Sequence, residues 1–289
     1  TSSLRYRWQS PNNLFRHRID LIDLNYVFMP WISETFRKDY LEDKNDRNAI
    51  LRYNYENLFI MRLGYSFTYN SQRNLMAANN YGTNALSIRF NVETAGNLLN
   101  AGSLLFDAKK NSDNQYSLFN IAYAQYVKGD IDISKSLRFD ERNSMALHFG
   151  LGVAYPYGNS NILPYEKRYF SGGANSVRGW SVRELGPGRF MGNDGRIDFI
   201  NQTGDIKLDM NIEYRTSLFW KIHGAVFIDA GNIWTIRDYV EQPGGQFRLK
   251  SFWREIAVAY GLGFRLNFDY FIIRLDGGMK AVHPGYTDA

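Results

Sequence analysis

The amino-acid sequence predicts an all-β chain, the wall of a transmembrane antiparallel β-barrel. Three observations lead there: strict alternation of apolar and polar residues, segments longer than those of soluble sheets, and connections that alternate between short and long. Composition agrees. The 289 residues are 44% hydrophobic and include 20 Tyr, 20 Phe, 6 Trp and 25 Gly, yet mean hydropathy is only −0.40. Apolar residues are therefore spread over strands, and no run nears the ~18 residues that suggest a membrane helix.

The N-terminus, TSSLRYRW, has no charged stretch followed by an apolar one, so no signal peptide is read there and the chain is expected to be processed or trimmed. Leu4, Tyr6 and Trp8 alternate as a short piece of strand. Ile19–Met29 is less regular: its apolar parity switches near Ile22, as a β-bulge makes it do. The segment 30–48 is the most charged and reads as a short helix or an external loop. Alternation returns over Tyr53–Tyr69, and the polar tract LMAANNYG from Leu75 reads as a periplasmic turn region. Asn84–Leu98 alternates, as does one long stretch, Tyr116–Phe139.

The C-terminal half is clearer. Met145, Leu147, Phe149, Leu151, Val153 and Tyr155 share one face, with Ser144, His148 and glycines on the other. From Ile206 to Thr216 the even positions are mainly apolar, while Lys207, Asp209, Asn211, Glu213 and Arg215 face away from them. After almost no connection, a segment from Ile222 puts Val226, Ile228 and Trp234 on its even face and His223 and Asp229 on its odd face. Arg254–Asn267 sets Val258, Tyr260, Leu262 and Phe264 against Glu255, alanines, glycines and Arg265. Tyr270–Lys280 sets Phe271, Ile273, Leu275 and Met279 against Arg274, Asp276 and Lys280. The sum is about ten strands, several exceeding the ~5–6 residues usual in soluble sheets. A soluble sandwich also alternates, but strands of ~9–11 tilted residues suit a bilayer, and there only a closed barrel satisfies every strand edge. Asp140–Asn143, Trp220–Lys221 and Phe268–Asp269 are tight connections, whereas Pro156–Asp205 and Thr235–Ser251 are long. Tyr65, Phe67, Tyr69, Tyr155 and Tyr157 read as an interfacial aromatic girdle or as core aromatics of a soluble sheet.

The charge balance, 34 Lys and Arg against 29 Asp and Glu for a net +5, is dispersed and reads as a solvated face, with no patch to hold nucleic acid. With no cysteine there is neither a disulfide scaffold nor a thiolate nucleophile. No G-x-S-x-G elbow is present, and His17, His148, His223 and His283 lie in separate segments. An inward histidine such as His148 or His223 is expected to be a hydrogen-bonding residue of the lumen. No enzyme, cofactor or metal site is expected.

The richest segment is RYFSGGANSVRGWSVRELGPG, Arg168–Gly188, within a connection of about fifty residues, a length that is usually functional or disordered. Its aromatic and aliphatic content argues for order, and the polar inner wall could receive it folded inward. Glycines at 172, 173 and 179 permit sharp turns and positive φ, and they bracket Val177-Arg178-Gly179-Trp180. On the wall, Glu213 lies on the charged face of one strand; Phe227, Asp229 and Gly231 share one face of the next. Arg178 could pair bidentately with Asp229, with Glu213 nearby, and pin the loop. The other reading is that both acids simply line a wet channel.

Val177-Arg178-Gly179-Trp180 in a glycine-rich loop, followed by a strand with Glu213 and then by GAVFIDAGNIW, resembles the BamA/TamA superfamily of outer-membrane assembly proteins. The match covers about 144–280, and the wording SGGANSVRGW…RELGPG is similar to versions from Bacteroidota. The resemblance implies a loop tip docked on a Phe-x-Asp-x-Gly strand, and a sixteen-stranded barrel preceded by POTRA domains. This chain, 1–289, is then expected to be a partial barrel, strands six to fifteen, without POTRA domains, first strands or last strand. The implied function is insertion of other β-barrels into the outer membrane of a diderm bacterium, without nucleotide hydrolysis. Implied partners are outer-membrane lipids and lipopolysaccharide, unfolded barrel clients, and accessory lipoproteins or a periplasmic protein. A TamA-like factor or a two-partner-secretion barrel shares the motifs and stays open; a porin or a barrel enzyme fits them less well.

Overall fold

The structure, a computed structural model, describes residues 2–27, 34, 50, 53, 55–71, 84–111, 114–192, 198, 200–268 and 270–286. The charged segment 30–48 and the tract from Leu75 lie, almost wholly, outside them.

Ten strands run antiparallel in one sheet: β1 (Ser2–Gln9), β2 (Phe15–Val27), β3 (Leu58–Asn70), β4 (Ala85–Ala95), β7 (Tyr126–Arg138), β8 (Asn143–Pro156), β9 (Ile206–Phe219), β10 (Ile222–Trp234), β11 (Ala257–Phe268) and β12 (Phe271–Val282). Two short strands, β5 (Ser117–Leu118) and β6 (Ile121–Tyr123), stand off this path, and one helix, α1 (Asn97–Leu105), follows β4. Among the described residues β1 and β12 each pair on one side only. No described helix is long and apolar enough to cross a membrane. Strands β2 to β12 on the main path have 11 to 14 residues, enough to span a hydrocarbon core when tilted.

Burial separates the two solvents. Large apolar side chains point outward and stay uncovered: Ile212, Val226, Ile228, Leu262 and Phe264 are each more than half exposed. Their inward neighbours Asp229, Glu213 and Arg265 are 0%, 5% and 3% exposed. A soluble sandwich has the opposite arrangement, because its apolar faces pack on each other. Apolar outside and charged inside is the pattern of a barrel wall in lipid. The inward loop 157–205 touches walls far apart in sheet order. Its Glu166 accepts from Asn25 on β2 (2.9 Å), and its Glu184 pairs with Lys280 on β12 (2.6 Å), so the sheet curls around it.

Several elements depart from the sequence reading for identifiable reasons. The bulge is there: the register of β2 slips against both neighbours, between Asp20 and Asp23 toward β3, and opposite Leu4–Arg5 on β1. Tyr116–Phe139 is not one strand. Phe119 and Asn120 adopt positive φ (53° and 63°), turning β5 back on β6, which then pairs parallel with β3 before β7 begins. Alternation persists across that break and conceals it. Tyr53 is helical and β3 starts only at Leu58. Likewise, residues 252–255 form a 3-10 turn ahead of β11. Trp234, read as outward, is 1% exposed: β10 rises above the lipid-facing zone there, and Trp234 packs edge-on against Phe247 and Phe252 while donating to Glu255 Oε2 (2.7 Å).

If the outer face meets acyl chains, Val226→Arg, between Tyr214 and Leu262, is expected to cost ~2–4 kcal/mol near the bilayer midplane. Urea unfolding of vesicle-folded protein measures this, and an unchanged midpoint would mean that the face meets water.

Candidate functional site

The loop descends through a series of docking contacts. Near its start, Tyr169 bridges to Gly204, and its ring lies over Gly152, where a Cβ would come within 2.5 Å of it. Its hydroxyl donates to Asp130 Oδ1 at 2.5 Å. Deeper, Ser171 bridges to Leu185 and closes the tip. Gly172 and Gly173 have φ of 97° and 87°, conformations that side chains disfavour, and Gly173 N–H donates to Trp180 C=O (2.8 Å). Gly179 does not have positive φ. Its missing side chain serves close approach instead: a Cβ would sit 2.8 Å from that of Ala259 and 3.3 Å from the Met279 carbonyl oxygen.

Arg178 is carried by this tip onto the inner wall. Its Nε and Nη2 donate to Asp229 Oδ2 and Oδ1, both at 2.7 Å, and its backbone N–H donates to the same Oδ2 (3.0 Å). Nη1 donates to Glu213 Oε2 (2.5 Å). The guanidinium carbon lies 3.4 Å from the Phe227 ring centre, so the plane that pairs with carboxylates on its edge rests on an aromatic face below. The Phe227 ring in turn occupies the space above Gly261, where a Cβ would come within 2.4 Å of it. Val177 and Trp180 are buried beside Arg178 with Leu185, Ala257 and Ala259. The strand register explains the convergence: Glu213 stands opposite Phe227, and Asp229 stands between Asn211 and Ala259. Gly231 takes a different place. It is opposite Asp209, and a Cβ there would come within 2.3 Å of the Leu208 carbonyl oxygen.

Residues not singled out from sequence complete the network. Arg265 joins Glu213 (2.9 Å) to Asp276 (2.7 Å), while Arg215 and Arg274 pair with Glu213 (2.7 Å) and Asp276 (2.5 Å). Four guanidiniums thus neutralise three carboxylates. Asn211 donates to both Asp229 Oδ1 (2.8 Å) and the Ser176 carbonyl (2.7 Å), and Ser176 donates to Asp209 (2.7 Å). Strand parity placed these side chains on the inner face; their grouping needed the register. His148 lies inward, between Asp132 and Asn211 at 2.8 Å from each. Gly278 on β12 supplies the last clearance, since a Cβ there would come within 2.7 Å of the Arg178 carbonyl oxygen.

Toward the long-loop end the loop forms a cap with buried acids. Burial pushes the Asp205 carboxyl above the usual range against the opposing field of Arg168, and pushes the Tyr239 hydroxyl up to about 12. Burial also raises Glu255, against the hydrogen bond from Trp234. At Glu184 burial likewise opposes ionisation, but the Lys280 hydrogen bond prevails and holds its carboxyl below the usual range.

Residues 33–288 match the family model for the Omp85 superfamily domain. No curated protein matches the sequence. Among solved structures, the chain is similar to BamA from Haemophilus ducreyi lacking POTRA domains 1-3, with 12% identity and a TM-score of 0.45 over 96% of this chain and 58% of that one. It is also similar to CdiB from Acinetobacter baumannii, with 11% identity and a TM-score of 0.33 over 98% of this chain and 47% of that one. The chain therefore spans about half the length of each.

Arg178→Ala leaves Asp229 dry and unpaired by any guanidinium, a defect worth ~3–5 kcal/mol for a fully buried pair; a fall in the thermal midpoint of the vesicle-folded protein measures it. Gly278→Ala should loosen the tip without changing charge, seen as faster proteolytic nicking between Arg168 and Gly188. Asp205 titrates at a higher pH folded than unfolded, so its contribution to cap stability is present at low pH and lost as pH rises through its folded value. Asp205→Asn, which keeps the acceptor for Ile236 N–H (3.0 Å), should therefore slow hydrogen exchange in the cap at neutral pH and flatten its pH dependence.

Proposed function

Because the chain belongs to the Omp85 superfamily, we propose that it is the membrane-spanning wall of a machine that inserts other β-barrels into the outer membrane of a diderm bacterium. The observation that carries this reading is the buried seat of Arg178 on Asp229, Glu213 and Phe227. A channel built only for conduction has no need of a loop tied to its wall by four charge-assisted hydrogen bonds and a ring face.

Insertion by such a machine requires work from structure alone, without catalysis. An unpaired strand edge offers a row of N–H and C=O groups that can template an incoming strand. In this reading the ten main strands take the places of the sixth to fifteenth of a sixteen-stranded barrel, which sets β12 next to the seam where templating takes place. The loop braces that strand: Arg274 donates to the Ala174 carbonyl (2.8 Å), Lys280 pairs with Glu184, and Gly278 receives the Arg178 backbone. Opening is then confined to the seam, since the adjacent wall is held from inside. Its partners in this role are unfolded barrel clients, outer-membrane lipids with lipopolysaccharide, and accessory lipoproteins or a periplasmic protein.

Charge reversal tests the brace. Arg178→Asp is expected to lower the amount of folded outer-membrane barrels several-fold in cells that depend on this protein, and adding Asp229→Arg should restore part of it. The variant's own level is followed in parallel, so that loss of the protein is distinguished from loss of its action. Normal client assembly with Arg178→Asp would remove the loop from the mechanism.

A further inference from the structure

Helix α1 turns the wrong face outward for a helix in water. Its outward stripe is apolar: Leu98, Ala101, Leu104 and Leu105 are all exposed, Leu105 to 82%, and Phe106 just beyond it to 86%. Its inward side is polar, with Asn100 Oδ1 and Ser103 Oγ within 3.4 Å and 3.3 Å of the buried Tyr123 hydroxyl. No described residue buries the apolar stripe.

The start of the helix fixes its height and its side of the wall. Gly96, at φ 76°, reverses the chain directly out of β4, in a space where a Cβ would meet the Ala124 carbonyl oxygen at 2.4 Å. Asn97 then donates to Thr94 Oγ1 (2.8 Å) and accepts from the Tyr157 hydroxyl (2.7 Å). Thr94 lies opposite Val127, and Val127 opposite Tyr155, across three adjacent strands on the outer face. Val127 and Tyr155 are 39% and 43% exposed there, and Tyr155 stacks on Tyr157 at 6.4 Å. The helix is therefore bonded to an aromatic pair at the rim of the lipid-facing surface, on the lipid side, where Tyr rings mark the boundary between hydrocarbon and headgroups. Past its end come Asp107, Lys109 and Lys110, all exposed, with Lys110 above the Tyr116 ring (5.1 Å).

We infer that α1 lies in the membrane interface at the long-loop end of the barrel, with Leu98, Leu104, Leu105 and Phe106 among the acyl chains and Lys109 and Lys110 at phosphate-bearing headgroups. The occupant of the stripe is lipid, because the stripe continues the surface that lipid already covers on β4, β7 and β8. Amphipathic helices of this kind bury their apolar face ~5–10 Å into the headgroup boundary. The effect is to widen the apolar collar of the barrel at that rim on one side only.

This inference rests on the reading of the strands as membrane-spanning, and the test separates the two. The 289 residues contain no cysteine, so single cysteines can be placed in the full-length protein once any elsewhere are removed. Leu98→Cys, Leu105→Cys and Val92→Cys, each carrying an environment-sensitive fluorophore, are folded into phosphatidylethanolamine–phosphatidylglycerol vesicles with nitroxides at shallow or deep acyl positions. The Val92 label, on the outer face of β4, should be quenched by deep nitroxides; failure there would overturn the membrane-spanning reading itself. With that control holding, the labels at 98 and 105 should shift to the blue and be quenched most by shallow nitroxides. Emission at the wavelength of water, quenched by aqueous iodide, would overturn the inference. So would protection that appears only when other envelope proteins are added.

Discussion

One constraint organises the molecule: a charge withdrawn from water must meet its opposite at hydrogen-bonding distance. Asp229 has no access to solvent, and four donated hydrogen bonds converge on its two oxygens, three from Arg178 and one from Asn211. Its position in the middle of β10 makes the wall depend on a residue 51 positions earlier in the chain. The loop is thus part of the wall's own electrostatics, and Asp229 would be left buried without a guanidinium partner if the tip were withdrawn from it.

The seat is as much steric as electrostatic. Gly261 makes room for the Phe227 ring, Gly278 for the Arg178 backbone, and Gly179 for the Ala259 methyl. Inward positions on β11 are small in succession, Ala257, Ala259, Gly261 and Gly263, and this allows a backbone to lie almost against a backbone. The tip is held by shape and the guanidinium by charge. Either alone would leave a polar group dry or an apolar one wet.

Much of this was legible from residues alone. The period of two gave the faces of β8 to β12, and the parity switch at Ile22 gave the bulge, because both follow from side-chain direction along one strand. Arg178, Glu213 and Asp229 stand out because the one cation between Gly173 and Gly179 and two inward acids invite pairing. What stayed hidden needed information from more than one segment. The roles of Arg265 and Asp276 depend on register between strands; Gly179 and Gly231 serve close approach to atoms distant in sequence; β5 and β6 are defined by a two-residue turn that leaves alternation intact. Helix α1 is hidden at its start because Leu98 keeps the parity of Ile88, Phe90 and Val92, so the alternation of Asn84–Leu98 runs into its first turn.

The run of missing side chains at the loop's resting place has a consequence for how this protein can change over time. Two surfaces that fit by leaving nothing between them have no slack: a methyl gained at Gly179 must be matched by one lost from Ala259, and one gained at Gly278 by a shift of the whole loop. Positions 179, 259 and 278 therefore form a single unit of inheritance, and drift at any one of them is tied to the others by space alone.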